Sequence, residues 1–236
     1  MDIPADALGA APQPEWDAGA GQESGWASSG VLPLLLSDPY SLKAEAVRSL
    51  RTRIVAQHVR EGRRALAVCT PTAGSGCTFV ATNLAVAMAQ IGVKTVIVDT
   101  DLRTPSVAQA FGLEDAPGLA DCLDHSEVAL DDIIQQGPVP QLSVITAGMP
   151  PSNPQELLSS GRFRDVVNQV LREFDLTIFD TTPTNSCTDA QRVATIAGYS
   201  LIVARKNLSY LSDVKLLSNL LRADRSLLVG TVLNEY

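Results

Sequence analysis

At 236 residues, 45% hydrophobic and 19% charged, the chain can build a real core and exceeds the usual ~150-residue domain. That excludes a wholly disordered protein and predicts one large domain with something added. A formal charge of −8 is a poor match for a phosphate backbone, so no nucleic acid partner is expected.

Five acids (Asp2, Asp6, Glu15, Asp17, Glu23) and no Lys or Arg fall in residues 1–37, which places most of the net charge there. The same stretch lacks the basic region of a signal peptide, and no apolar run approaches the ~18–20 residues that cross a bilayer. A cytoplasmic location is expected. From Met1 to about Gly30 the composition is Ala, Gly, Pro, Ser and acid without helical or strand period, so residues 1–37 read as a disordered acidic tail ahead of a domain at 38–236. Trp16 and Trp26, the only tryptophans, lie in this tail and are candidate docking elements for a partner; Val31–Leu36 is expected to pack on the domain.

Beyond Asp38, Ser41 to about Arg60 reads as a helix with Ser41 as N-cap and Ala46, Val47, Leu50, Ile54 and Val55 at helical spacing. Strand-like runs follow at Leu66–Cys69, Thr95–Asp99, Leu142–Thr146, Leu176–Asp180, Ser200–Ala204 and Leu227–Leu233, with helical stretches at Thr78–Gln90, Pro154–Glu173, Asp189–Ala197 and Ser212–Ala223. Apolar strands alternating with helices predict an α/β fold, a single doubly wound domain with a mostly parallel sheet covered on both faces. Ligands in such sheets bind beyond the carboxyl ends of the strands. Cys69, Cys77, Cys122 and Cys187 form no C-x-x-C pair, and with His58 and His125 they give neither a disulfide framework nor a zinc cluster.

The first strand runs into Thr70-Pro-Thr-Ala-Gly-Ser-Gly-Cys-Thr78 and then directly into a helix. A glycine-bearing loop in that place aims backbone N–H groups and the positive helix end at one spot, the P-loop arrangement that holds phosphate. Gly74, Ser75, Gly76, Cys77 and Thr78 are the candidate nucleotide-binding residues. A lysine normally precedes the hydroxyl residue that ligates magnesium, and here its place is taken by Cys77. Two further strand ends carry acids, Asp99-Thr-Asp101 and Asp180-Thr-Thr-Pro183. Carboxylates there are costly in a core and useful beside hydrated magnesium, so Thr78, Asp99 and Asp180 are candidate Mg²⁺ residues, and Asp99, Asp101 and Asp180 the catalytic candidates.

From about Asp38 to Asn234 the chain resembles the bacterial tyrosine kinases that work with membrane chain-length determinants (polysaccharide co-polymerases) in capsule and exopolysaccharide export. The loop at 70–78 is similar to that family's Walker A, Asp99-Thr-Asp-Leu-Arg-Thr-Pro105 to its Walker A′, Ile178-Phe-Asp-Thr-Thr-Pro183 to its Walker B, and Asn153-Pro-Gln-Glu-Leu-Leu158 to a further family stretch. Glu45, Arg48 and Arg51 match its E-x-x-R-x-x-R oligomerisation motif. The resemblance implies a P-loop NTPase-like fold, ATP/ADP and Mg²⁺ as cofactors, homo-oligomeric rings, and a membrane partner that would hold the protein at the inner membrane.

Two departures bear on activity. Without the lysine a charge-assisted contact of roughly 1.5–3 kcal/mol is lost, and comparable catalytic donors cost ~10²–10³ in rate when removed. The lysines present, Lys43, Lys94, Lys206 and Lys215, all lie outside the loop, and a thiol at a helix N-terminus tends to ionise, adding negative charge where phosphate is expected. Weak binding and weakened or lost catalysis follow, with an active autokinase as the alternative. The family's C-terminal tyrosine cluster is reduced to Tyr236 as candidate phosphoacceptor, while Tyr40, Tyr199 and Tyr210 lie in patterned segments and read as structural. A partitioning ATPase of the septum-positioning type shares the fold, but it carries an extra lysine early in the loop, where this chain has Thr72-Ala-Gly74.

Overall fold

Strand β1 (Ala65–Thr70) is buried at every position, and its side chains divide by parity. Ala65, Ala67 and Cys69 join one apolar cluster, while Leu66 and Val68 join another. A strand that feeds two cores lies at the centre of a sheet covered on both faces. The computed structural model, which describes residues 32–114 and 116–235, shows that sheet with order β3-β4-β2-β5-β1-β6-β7. Its other strands are β2 (Thr95–Asp99), β3 (Ile134–Gln136), β4 (Leu142–Ile145), β5 (Leu176–Pro183), β6 (Tyr199–Arg205) and β7 (Leu227–Asn234). Every pairing is parallel except β3 with β4, the mostly parallel doubly wound α/β fold expected from the alternation.

Two helical layers cover the sheet. One contains α1 (Leu34–Ser37), α2 (Leu42–Gln57), α3 (Cys77–Ala89) and α4 (Val107–Phe111), and the other α5 (Leu119–Asp124), α6 (Leu130–Ile133), α7 (Pro154–Ser159), α8 (Gly161–Glu173), α9 (Asp189–Ala197) and α10 (Leu211–Ala223). Nearly all of α3 is buried. Its alanines at 81, 85, 87 and 89 let the strands and α2 approach closely, which positions its first turn beside β1 and β5. Helix α2 starts where the sequence predicts, with Ser41 Oγ accepting from Ala44 N–H at 3.2 Å, but it stops at Gln57, and a 3₁₀ turn spans Val59–Glu61.

The stretch read as one helix over Pro154–Glu173 is two. Ser160, at φ −69° and ψ 156°, ends α7, and its hydroxyl accepts from Phe163 N–H to start α8. At the other end of the chain, Leu35 is 1% exposed, and its N–H donates to Asn83 Oδ1 at 3.2 Å. The expectation that this apolar stretch packs on the domain therefore holds over its described residues, and part of the segment assigned to the tail belongs to the folded unit. The rest of that tail, with Trp16 and Trp26, lies outside the described residues, as does Tyr236.

Candidate functional site

The loop between β1 and α3 makes two left-handed turns, at Gly74 (φ +74°) and Gly76 (φ +85°). At Gly76 the requirement is double, because a Cβ there would also stand 2.3 Å from Asn234 Nδ2. Ser75 Oγ donates to Thr72 O at 2.6 Å and closes the loop on itself. The first helical bond of α3 runs from Val80 N–H to Gly76 O, so the N–H groups of Cys77 and Thr78 point out of the helix end toward the loop. This is a backbone arrangement of the kind that can cradle a phosphate.

Two side chains from distant strands hold this loop, and the sequence reading missed both. Asn234 at the end of β7 donates Nδ2 to Ser75 O at 3.0 Å, and Arg205 at the end of β6 donates Nη1 to Gly74 O at 2.9 Å. Searching only for a lysine overlooked Arg205, the guanidinium that touches the loop. The available signal was position, since both residues end apolar strands at the carboxyl edge of the sheet.

Cys77 corrects an expectation. Its thiol is buried and donates to Val68 O at 3.1 Å. Burial, reinforced by the charge of Asp180, pushes the thiol well above its ordinary pKa. The side chain is a neutral group turned into the core, and it adds no negative charge to the loop.

The acids converge as predicted but differ in their bonding. Asp99 and Asp180 are register partners on β2 and β5. Asp99 Oδ1 accepts from Asp101 N–H at 3.0 Å, and Oδ2 from Ser106 and Val107 N–H at 3.1 and 3.0 Å. Asp101 ties its own turn, accepting from Arg103 N–H, Thr104 N–H and Thr104 Oγ1. Asp180 Oδ2 accepts from Thr78 Oγ1 at 2.5 Å, while its buried Oδ1 has no hydrogen-bond partner among the described residues. Burial pushes the Asp180 carboxyl up to about 6, and Asp101 adds to the rise while the Thr78 and Cys77 side chains oppose it. Burial, then the charge of Asp180, pushes Asp99 up to about 8.

A carboxylate with one orphaned oxygen, bonded to a threonine hydroxyl at a phosphate-type loop, has the hard oxygen donors that suit Mg²⁺. A divalent ion would supply the positive charge this buried pair lacks. Thr78 and Asp180 would hold it, with Asp99 and Asp101 bracing the surrounding backbone. Arg103 donates Nε to Asp189, 2.7 Å away and 1% exposed, and so fastens the turn after Asp101 to α9.

The remaining predicted residues lie elsewhere. Arg48 pairs with Glu45 at 3.2 Å and donates to Pro39 O at 2.7 Å, and Arg51 donates to Ala87 O at 3.4 Å. Both arginines are thus bonded within their own subunit. Tyr199 packs edge-on to His58, but Tyr40 and Tyr210 are 96% and 73% exposed, against the structural role expected of them.

Comparison with known proteins agrees with this geometry. The family model described as an AAA domain matches residues 63–223. The putative tyrosine-protein kinase CapB of Staphylococcus aureus is 33% identical over 88% of this chain and 91% of its own length. The solved kinase domain of the Escherichia coli tyrosine kinase ETK superposes with a TM-score of 0.82 at 31% identity, covering 94% of this chain and 87% of that one. The septum site-determining protein MinD of Pyrococcus horikoshii, solved with Mg-ADP, reaches a TM-score of 0.63 at 21% identity over 73% of this chain and 70% of that one, and shows the fold alone. On the match to CapB and the ETK kinase domain, the chain belongs to the bacterial tyrosine-protein kinase family and is built on the P-loop NTPase fold.

Proposed function

We propose that the chain is a tyrosine kinase-like protein of capsule or exopolysaccharide export that binds ATP or ADP with Mg²⁺ weakly through residues 74–78 and has weakened or lost phosphoryl transfer. It acts by binding and assembling, on a membrane chain-length determinant at the cytoplasmic face. Family membership supports the setting, and the observation that carries the weak catalysis is the buried neutral thiol of Cys77 where the family has a lysine. Among the described residues no helix is long and apolar enough to cross a membrane, so attachment through a partner is part of the proposal.

Calorimetry of Mg-ATP binding tests this reading. Native protein should bind weakly, and Cys77→Lys should tighten binding at least tenfold, about 1.5–3 kcal/mol for a restored charge-assisted contact. Arg205 favours a second reading, an active autokinase in which this guanidinium serves in place of the lysine. Tight binding by native protein, lost in Arg205→Ala and not improved in Cys77→Lys, would establish that alternative.

Self-association through α2 belongs to the same proposal. All three residues are bonded internally, Glu45 through its pair with Arg48, and the Glu45 side chain, 67% exposed, is the one of that pair more open to a neighbour. Sedimentation should find assembled native protein and a monomeric Glu45→Arg variant; a native monomer, even with the membrane partner present, removes the oligomerisation claim.

A further inference from the structure

An apolar groove of about 510 Å³ lies between α2 and the end of β7, lined by Ala46, Val47, Leu50, Phe79, Val80 and Val232. Leu42 and Leu233, which also line it, are 91% and 60% exposed. Scattered exposed leucines are ordinary, but a concavity lined this way marks a place where something apolar sits. Its size is in the range of cavities that take a drug-sized ligand, ample for one indole.

Three observations identify the occupant. The first is position. Leu35 N–H is held by Asn83 Oδ1, and Asn83 Nδ2 donates to Phe79 O at 2.8 Å. The anchor of the entering chain thus sits one helical turn, about 5.4 Å, from the groove's Phe79. The second is reach: Trp26 is six residues ahead of Leu32, a span of up to ~20 Å for extended chain. The third is chemistry. The stretch from Ser24 to Ser37 contains no charged residue, and Trp26 is its one aromatic.

We propose that the chain's own segment around Trp26 docks its indole in the groove between α2 and β7. An aromatic anchor with two χ angles buries a large area at little entropic cost. The groove also shares Asn234 with the P-loop, through the amide bonded to Ser75 O. The docked segment therefore buttresses the strand end that holds the loop, and its release loosens that support.

The only two tryptophans lie in this tail, so intrinsic fluorescence reads the occupancy directly. In full-length Trp16→Phe protein, Trp26 emission should lie to the blue of the urea-unfolded chain, with acrylamide quenching several-fold weaker. Ala46→Glu, which puts a charge on the groove wall at an exposed position, should return both readings to the unfolded values while circular dichroism stays native. Trp26 quenched as readily in native as in unfolded protein overturns the proposal and leaves the tail to a membrane partner. Protection that survives Ala46→Glu, or that fades on dilution as expected for a second copy, overturns it as well.

Discussion

The ends of β2 and β5 lie side by side in the sheet and each presents a buried aspartate, yet they do opposite work. Asp99 spends both oxygens on three backbone N–H groups, fixing the turn to Asp101 and the start of α4. Asp180 spends one oxygen on the Thr78 hydroxyl and leaves the other unpartnered. Equal burial with unequal satisfaction separates a structural carboxylate from one whose ionised form a cation would relieve, because an orphaned buried oxygen is a cost that only a proton or a ligand removes.

The contrast predicts opposite signs for substitution at the two positions. Asp99→Ala strips three N–H groups of their acceptor, two of them in buried bonds, at ~1–3 kcal/mol for each buried one. Partly offset by removal of a buried charge, the net loss should be about 3 kcal/mol in urea denaturation. A loss under about 1 kcal/mol would mean that Asp99 is not structural. Asp180→Asn should instead stabilise the Mg²⁺-free protein. A carboxyl raised from 3.8 to about 6 corresponds to about 3 kcal/mol of penalty on its ionised form, of which the unpaired amide returns ~1 kcal/mol, leaving about 2 kcal/mol at pH 8. The same variant should lose Mg²⁺ binding.

The pH dependence of that gain sharpens the assignment. With the folded pKa above the unfolded one, native Asp180 keeps its proton between about 4 and 6 while the unfolded chain has lost it, so native stability falls as pH rises through that window. The advantage of Asp180→Asn over native protein should therefore grow from about pH 4 to pH 6, and rise further toward about pH 8 because the variant also relieves Asp99 of the Asp180 charge that raises it. A gap independent of pH, or one that shrinks as pH rises, breaks the comparison.

The same physics explains what the sequence revealed and what it hid. The strand runs were legible because β1, β2, β5 and β6 are apolar on both faces, and the acids marked their ends. The stretch containing α4, α5, α6 and β3 was not, because elements of three to six residues are too short to show a period. The break at Ser160 was hidden by good helical patterning on both sides. At the site, Gly74, Gly76, Thr78 and Asp180 were readable since each belongs to a local motif. Asn234 and Arg205 were not, because what makes them part of the loop is a register between strands and not a spacing along the chain. The inward turn of Cys77 followed from neither the loop nor the helix end; it depends on the Val68 carbonyl, one strand residue ahead of Cys69.

The bond from Asn234 to Ser75 also sets a clock. It joins residues 159 apart, and β1, which carries the loop, pairs with β5 more than a hundred residues later. At 5–20 residues per second of synthesis, about 10–30 s pass between the appearance of the loop and that of the amide that braces it. Through that interval the loop lacks this brace, and β6, once made, presents an open edge until β7 pairs with it. The braced form of the loop is therefore a late feature of the fold, completed only when β7 arrives.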